Sequence, residues 1–151
     1  MNLTEEPEIV QWPEMHYAFV EKQGPFSVNA PAAWQTAHTF VPALSINNKI
    51  TAYMSLYKMG PKIYRAGFAL SAEPRELPAG LTYEKFNGGK YSRFVLTGSY
   101  SNLGNASGRV YEIVNERNIR LRDDYSIENY VTDPRVTPDE ENVTEILVPT
   151  I

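Results

Sequence analysis

Ser126-Ile127-Glu128-Asn129-Tyr130-Val131-Thr132-Asp133-Pro134 alternates like a strand and stops at a proline. Strand side chains point alternately to two faces, so Ser126, Glu128 and Tyr130 share one face and Ile127 and Val131 the other. A lone carboxylate in such a run is ordinarily a solvated face. The rest of the chain changes that reading. A polar turn region follows to Glu141, and residues 143–149 read as a last strand. Upstream, residues 102–117 predict a helix, with Leu103, Ala106, Val110, Tyr111 and Val114 at helical spacing. Before it, strands at 81–86 and 91–97 flank Asn87-Gly88-Gly89, a hairpin signal because Asn and Gly accept positive φ.

The first half reads in the same order. Residues 1–13 form an acidic arm that can add an edge strand, and residues 16–23 alternate as a strand. Gly24-Pro25-Phe26 breaks it. A helix follows, capped at Asn29 or Ala30 with Pro31 in its first turn, and Ala33, Trp34, Ala37, Phe40 and Val41 form its apolar stripe. Pro42 and Asn47-Asn48 close it. Strands at 50–57 and 63–70 are expected to pair as a hairpin around Lys58-Met59-Gly60-Pro61, and 71–78 reads as a linker between halves.

This order implies an internal duplication, with repeats at 14–70 and 80–150 making one domain over 14–151. Tyr17 precedes Gly24 by seven residues and Tyr91 precedes Gly98 by seven. Phe26 then matches Tyr100, Ser55 matches Glu128, and Tyr57 matches Tyr130. The expected fold is α+β: two strand-helix-strand-strand units in one antiparallel sheet, with two helices on one face. Ala52, Met54 and Leu56 are expected to face the helix. The opposite face is expected to carry Tyr17, Phe19, Tyr53, Tyr57, Phe68, Glu128 and Tyr130, a patch too aromatic to stand open on a monomer.

Composition narrows the chemistry. The 151-residue chain can bury a sizeable core, and its 10 tyrosines exceed what a core needs, since each buried hydroxyl wants a partner. A net charge of −4, with no Lys/Arg cluster, argues against direct nucleic-acid binding. The absence of cysteine excludes disulfides and thiol chemistry, and His16 and His38 lack metal-ligand spacing. No metal or cofactor is expected. With neither an apolar leader nor a membrane span in the sequence, a cytoplasmic location is expected.

The tyrosine-bearing strand, Gly24-Pro25-Phe26, Trp34 and Phe40, Gly67-Phe68-Ala69 and Gly98-Ser99-Tyr100 form an ordered series. It ends in Glu128-Asn129-Tyr130 before Asp133-Pro134 and in Thr144-Glu145-Ile146-Leu147-Val148-Pro149. Over about residues 14–150 the chain resembles the gyrase-inhibitor-like small-molecule-binding domain, which also serves as the effector-binding half of multidrug-sensing transcription regulators. The resemblance implies the duplicated fold with a ligand cleft between the halves. It also implies an acidic pocket residue at Glu128 and pocket aromatics at Trp34, Tyr57, Phe68 and Tyr130. Two departures stand out: Lys58-Met59-Gly60 where many relatives have an acidic residue before proline, and Gly108 where the first repeat has Trp34.

Three functions fit these residues. One is binding of small apolar or cationic aromatic molecules, using Glu128, Tyr130, Trp34, Tyr57, Phe68, Tyr17, Phe19 and Tyr53. The second is hydrolysis of electrophilic cyclopropane-type toxins, as implied for some relatives, with Glu128 activating water. The third is a protein-interaction module such as a gyrase modulator, against which the absence of an acidic run argues. A transcription factor's helix-turn-helix is not expected within the thirteen residues before the first strand.

Overall fold

The computed structural model describes residues Met1–Ile151. In chain order the strands are β1 (Asn2–Leu3), β2 (Glu8–Trp12), β3 (Met15–Gln23), β4 (Ile50–Lys58), β5 (Ile63–Leu70), β6 (Thr82–Phe86), β7 (Gly89–Thr97), β8 (Ser126–Tyr130) and β9 (Val143–Pro149). The helices are α1 (Phe26–Thr39), α2 (Val41–Asn47) and α3 (Leu103–Glu116). The class is α+β. The chain divides into two compact units: Pro13–Gly88, and Met1–Trp12 together with Gly89–Ile151.

In the Pro13–Gly88 unit the antiparallel strand order is β4-β5-β3-β6. The expected β4–β5 hairpin is present, and Tyr53 faces Phe68, Ser55 faces Ala66 and Tyr57 faces Tyr64 across it. Helix α1 lies on the face carrying these pairs. Its Ala33 and Ala37 are fully buried against Tyr57, Tyr64, Ala66 and Phe68, with Trp34 and Phe40 packed beside them. The helix begins at Phe26 rather than at Asn29 or Ala30, and Pro31 lies within it. Pro31 lies in the second turn, so it gives up one bond, the one its N–H would have made to Ser27 O. Pro42 does not end the helical segment. It occupies the first turn of α2, where a missing N–H is harmless, so the chain has a third helix.

In the second unit, β7 pairs with β1, β2 and β9, and β9 pairs with β8, all antiparallel. Residues 1–12 thus supply edge strands. Helix α3 buries Ala106, Val110, Ile113 and Val114 against Phe94, Leu96, Ile146 and Val148. Gly24 and Gly98 both adopt positive φ, 123° and 131°, a backbone turn that a side chain would strain at each strand-to-helix break.

Two connections differ from the sequence reading. Asn87-Gly88-Gly89 does not close a hairpin: β6 pairs with β3, while β7 belongs to the other unit. The positive-φ glycines redirect the chain between units instead of reversing it. The compact units part at Gly88/Gly89, and 71–78 lies inside the first. That segment is tied to its own unit, where the Asn48 side chain donates to Arg75 O at 2.9 Å and accepts from Arg75 N at 2.8 Å. Leu77 packs on the same core.

Candidate functional site: an enclosed glutamate and an aromatic wall

Cross-strand register decides which face of β8 carries Glu128. Residues directly opposite in an antiparallel pair point the same way, and Glu128 lies opposite Ile146, Ile127 opposite Leu147. Ile146 packs against α3. Ser126, Glu128 and Tyr130 therefore line the helix-covered face, and Ile127 takes the other. This corrects the expectation that Glu128 and Tyr130 lie on the face opposite the helices; Val131 lies beyond the strand and is exposed. The shared face of Ser126, Glu128 and Tyr130 is as the alternation predicted.

On that face the polar groups form a row. The Tyr130 hydroxyl donates to Glu128 Oε1 at 2.8 Å. The Ser126 and Tyr111 hydroxyls share a hydrogen bond at 2.7 Å, tying the row to α3. The Tyr100 ring packs 5.6 Å from that of Tyr130 at 59°, and the Tyr100 hydroxyl donates to Thr132 O at 3.0 Å. Glu128 makes no ion pair. Burial pushes its carboxyl above the ordinary value, and the Tyr130 hydrogen bond only partly opposes this. The residue as a whole keeps some open surface. The dense protein around the charge, rather than that residual area, governs how poorly the carboxylate is hydrated.

The Pro13–Gly88 unit has its own aromatic wall, again on the helix side. Trp34 stacks on Tyr53 at 6.4 Å and 11°, and both lie nearly perpendicular to the Phe68 ring, at 6.1 and 5.0 Å. His38 closes the group at 5.4 Å from Trp34. Trp34 and Tyr53 are half-buried and His38 is exposed, so the wall has an accessible side. Beneath it, Trp34 Nε1 donates to the Ser55 and Tyr64 hydroxyls, each at 3.0 Å, and those two lie 2.6 Å apart. Tyr57 is buried and stacks on Tyr64 at 6.4 Å.

The expected face sharing is corrected here too. Tyr53, Tyr57 and Phe68 are on the helix side, whereas Met54 and Leu56, expected to meet the helix, are on the other. Tyr17 and Phe19 are on that other face as well, stacked at 5.3 Å, with the Tyr17 hydroxyl donating to Met54 O and the Arg65 guanidinium 4.2 Å over Phe19. Both are fully buried. The sequence reading missed Tyr100, Tyr111 and His38. Tyr100 was legible as the counterpart of Phe26, and Tyr111 and His38 as helix-face neighbours of the site residues.

No group of three His, Asp or Glu side chains is gathered as a metal site would require. No helix is long and apolar enough to cross a membrane.

This combination of an α+β antiparallel scaffold, an enclosed carboxylate and half-open aromatic rings is that of a small-molecule-binding domain. The sequence pattern of the GyrI-like small molecule binding domain matches residues 5–150, and the chain belongs to that family. Solved structures share its fold at low identity. SAV2435 bound to tetraphenylphosphonium is 14% identical, with a TM-score of 0.77 over 97% of this chain and 94% of that one. The EcmrR C-terminal domain is 15% identical, with a TM-score of 0.77 over 100% and 99%. A structure described as a hydrolase from Listeria innocua is 11% identical, with a TM-score of 0.63 over 98% and 93%. No curated protein sequence matches the chain significantly.

Proposed function

We propose that the chain binds small apolar or cationic aromatic molecules, sequestering, sensing or detoxifying them, with Glu128 reading the positive charge. The observation that carries this reading is the state of Glu128: a poorly hydrated carboxylate with one tyrosine donor and no cation beside it. A lipophilic cation relieves that cost, and each desolvated ring face adds about 0.5–2 kcal/mol of cation–π attraction. Tyr130, bonded to the carboxylate, and Tyr100, packed on Tyr130, supply the rings. Tetraphenylphosphonium, the ligand in the SAV2435 structure, belongs to the chemical class such a site suits. Within the Pro13–Gly88 unit, Trp34, Tyr53 and Phe68 are proposed as aromatic contacts of that unit's own wall, with Tyr57 supporting them. Tyr17 and Phe19 are not, because both are fully buried and the Arg65 guanidinium covers the Phe19 ring.

Calorimetric titration of tetraphenylphosphonium and of neutral triphenylphosphine oxide tests the proposal. Glu128→Gln keeps shape and removes charge. It is expected to weaken the cation about ten-fold or more, as loss of a charge-assisted contact does, and to leave the neutral compound unchanged. An unchanged cation affinity removes Glu128 from the site. Equal loss for both compounds means that shape, not charge, was read.

A hydrolase reading rests on the same carboxylate. A carboxyl whose pKa burial raises suits a general base, and a protein of like fold is described as a hydrolase. In that case Glu128→Gln slows turnover of a cyclopropane-bearing electrophile about 10²–10⁴-fold with little change in KM. Absence of any turnover above the water rate by the unaltered protein rejects it.

A further inference from the structure

The second unit has a depression apart from the Glu128 row. It measures about 430 Å³, within the range of small-molecule sites, and Glu128, Tyr130, Tyr100 and Tyr111 take no part in it. Its lining joins β2, β7, the end of β9 and the turn after α3.

Three features give it a chemical character. The first is charge. Lys90, Arg117 and Arg120 line it, and no acidic side chain does. Lys90 Nζ donates to Ile151 O at 3.2 Å, and Arg117 pairs with the exposed Glu6 at 3.3 Å. Arg120 makes no ion pair. The second is apolar surface from Ile9, Ile119 and Ile151, of which Ile9 is 58% exposed. The third is a pair of buried hydroxyls on lining residues. Ser92 and Thr150 are 0% and 3% exposed, and neither hydroxyl oxygen meets a protein partner. Buried hydroxyls ordinarily find a partner, and one left without is costly.

The C-terminal end of α3 is intrinsically unfavourable to an anion. Its last carbonyls are already used, however: Ile113 O accepts from Arg117 N at 2.9 Å and Val114 O from Ile119 N at 3.0 Å. Arg117 and Arg120 line the depression just beyond that helix end.

From these positions we infer that the depression between β2, β7 and the turn after α3 is a second binding site, for small carboxylates with a short aliphatic tail. Arg120 and Arg117 take the carboxylate, Ile9 and Ile119 the tail, and the Ser92 and Thr150 hydroxyls supply donors in the floor.

Backbone amide NMR titration of the full chain tests this with three six-carbon probes: hexanoate, 1-hexanol and hexylammonium. Hexanoate is expected to give saturable shifts at Ser92, Ile119 and Thr150, with the other two at least about ten-fold weaker. Arg120→Glu, at an exposed position, is expected to weaken hexanoate about ten-fold or more, while Glu128→Gln leaves it unchanged. That last comparison separates this site from the one under Proposed function. Equal affinity for all three probes would overturn the inference, since no charge would be read. So would inorganic phosphate matching hexanoate, loss of hexanoate binding on Glu128→Gln, or no saturable shift at those amides.

Discussion

Tyr130 donates its phenolic hydrogen to Glu128 Oε1 at 2.8 Å, from two positions along the same strand face. This is the one contact found to lower the pKa of a carboxyl that burial otherwise raises. Tyr130→Phe therefore removes a stabiliser of the charged form, and the Glu128 pKa is expected to rise further. Carbon NMR titration of the Glu128 carboxyl measures it; a pKa unchanged by the substitution would mean that the hydrogen bond contributes nothing to the charge.

The raised pKa also has a sign for stability. A carboxyl whose folded pKa exceeds its unfolded value favours folding while protonated, and that contribution is lost as pH rises through the folded pKa. Glu128→Gln removes the cost of the buried charge. The variant is expected to melt higher than the parent near neutral pH, with the difference vanishing below the ordinary carboxylate value of 4.5. A constant difference in Tm between pH 4 and pH 8 would assign the effect to packing.

Two glycines predict opposite outcomes. A Cβ on Gly67 would run into Ala18 O and lie 2.7 Å from Phe19 Cβ, both held by strand pairing. Gly67→Ala is expected to cost roughly 1–3 kcal/mol, as overpacking does. Gly108 is exposed on α3 with nothing near its would-be Cβ, so Gly108→Ala is expected to gain about 0.5–1 kcal/mol from helix propensity. Urea unfolding of both variants checks the contrast.

The arm is held by charge as well as by pairing. Arg109 on α3 bonds Glu5, Glu112 and Glu116, and β1 and β2 pair with β7. Arg109→Ala is expected to speed hydrogen exchange in residues 2–12, with little effect on Tm, and high salt to do the same in the parent. Unchanged exchange would show that strand pairing alone holds the arm.

Trp34 links α1 to the sheet through its indole N–H. Trp34→Phe keeps a ring but loses the bonds to Ser55 and Tyr64, which remain bonded to each other. A loss of about 0.5–1.5 kcal/mol in chemical denaturation is expected, the usual value of a hydrogen bond whose partners stay satisfied.

The amino-acid order alone determined much of this protein. Strand alternation placed Ser126, Glu128 and Tyr130 on one face, helical spacing found the buried stripes of α1 and α3, and the two Gly breaks at equal distance from Tyr17 and Tyr91 marked both strand-to-helix turns. These are short-range properties: the 2.0 and 3.6 periodicities and positive φ are set by a residue and its near neighbours. Only the tertiary structure decided which face each helix covers. Alternation divides a strand into two sides but does not say which is inside, and β4 is apolar on both, so Met54 and Leu56 were as good a helix face as Tyr53 and Tyr57. The same holds for the partner of β6, for α2 continuing past Pro42 and for the enclosure of Glu128. Each depends on residues far away in the chain, and a carboxylate in a strand reads alike whether water or protein surrounds it.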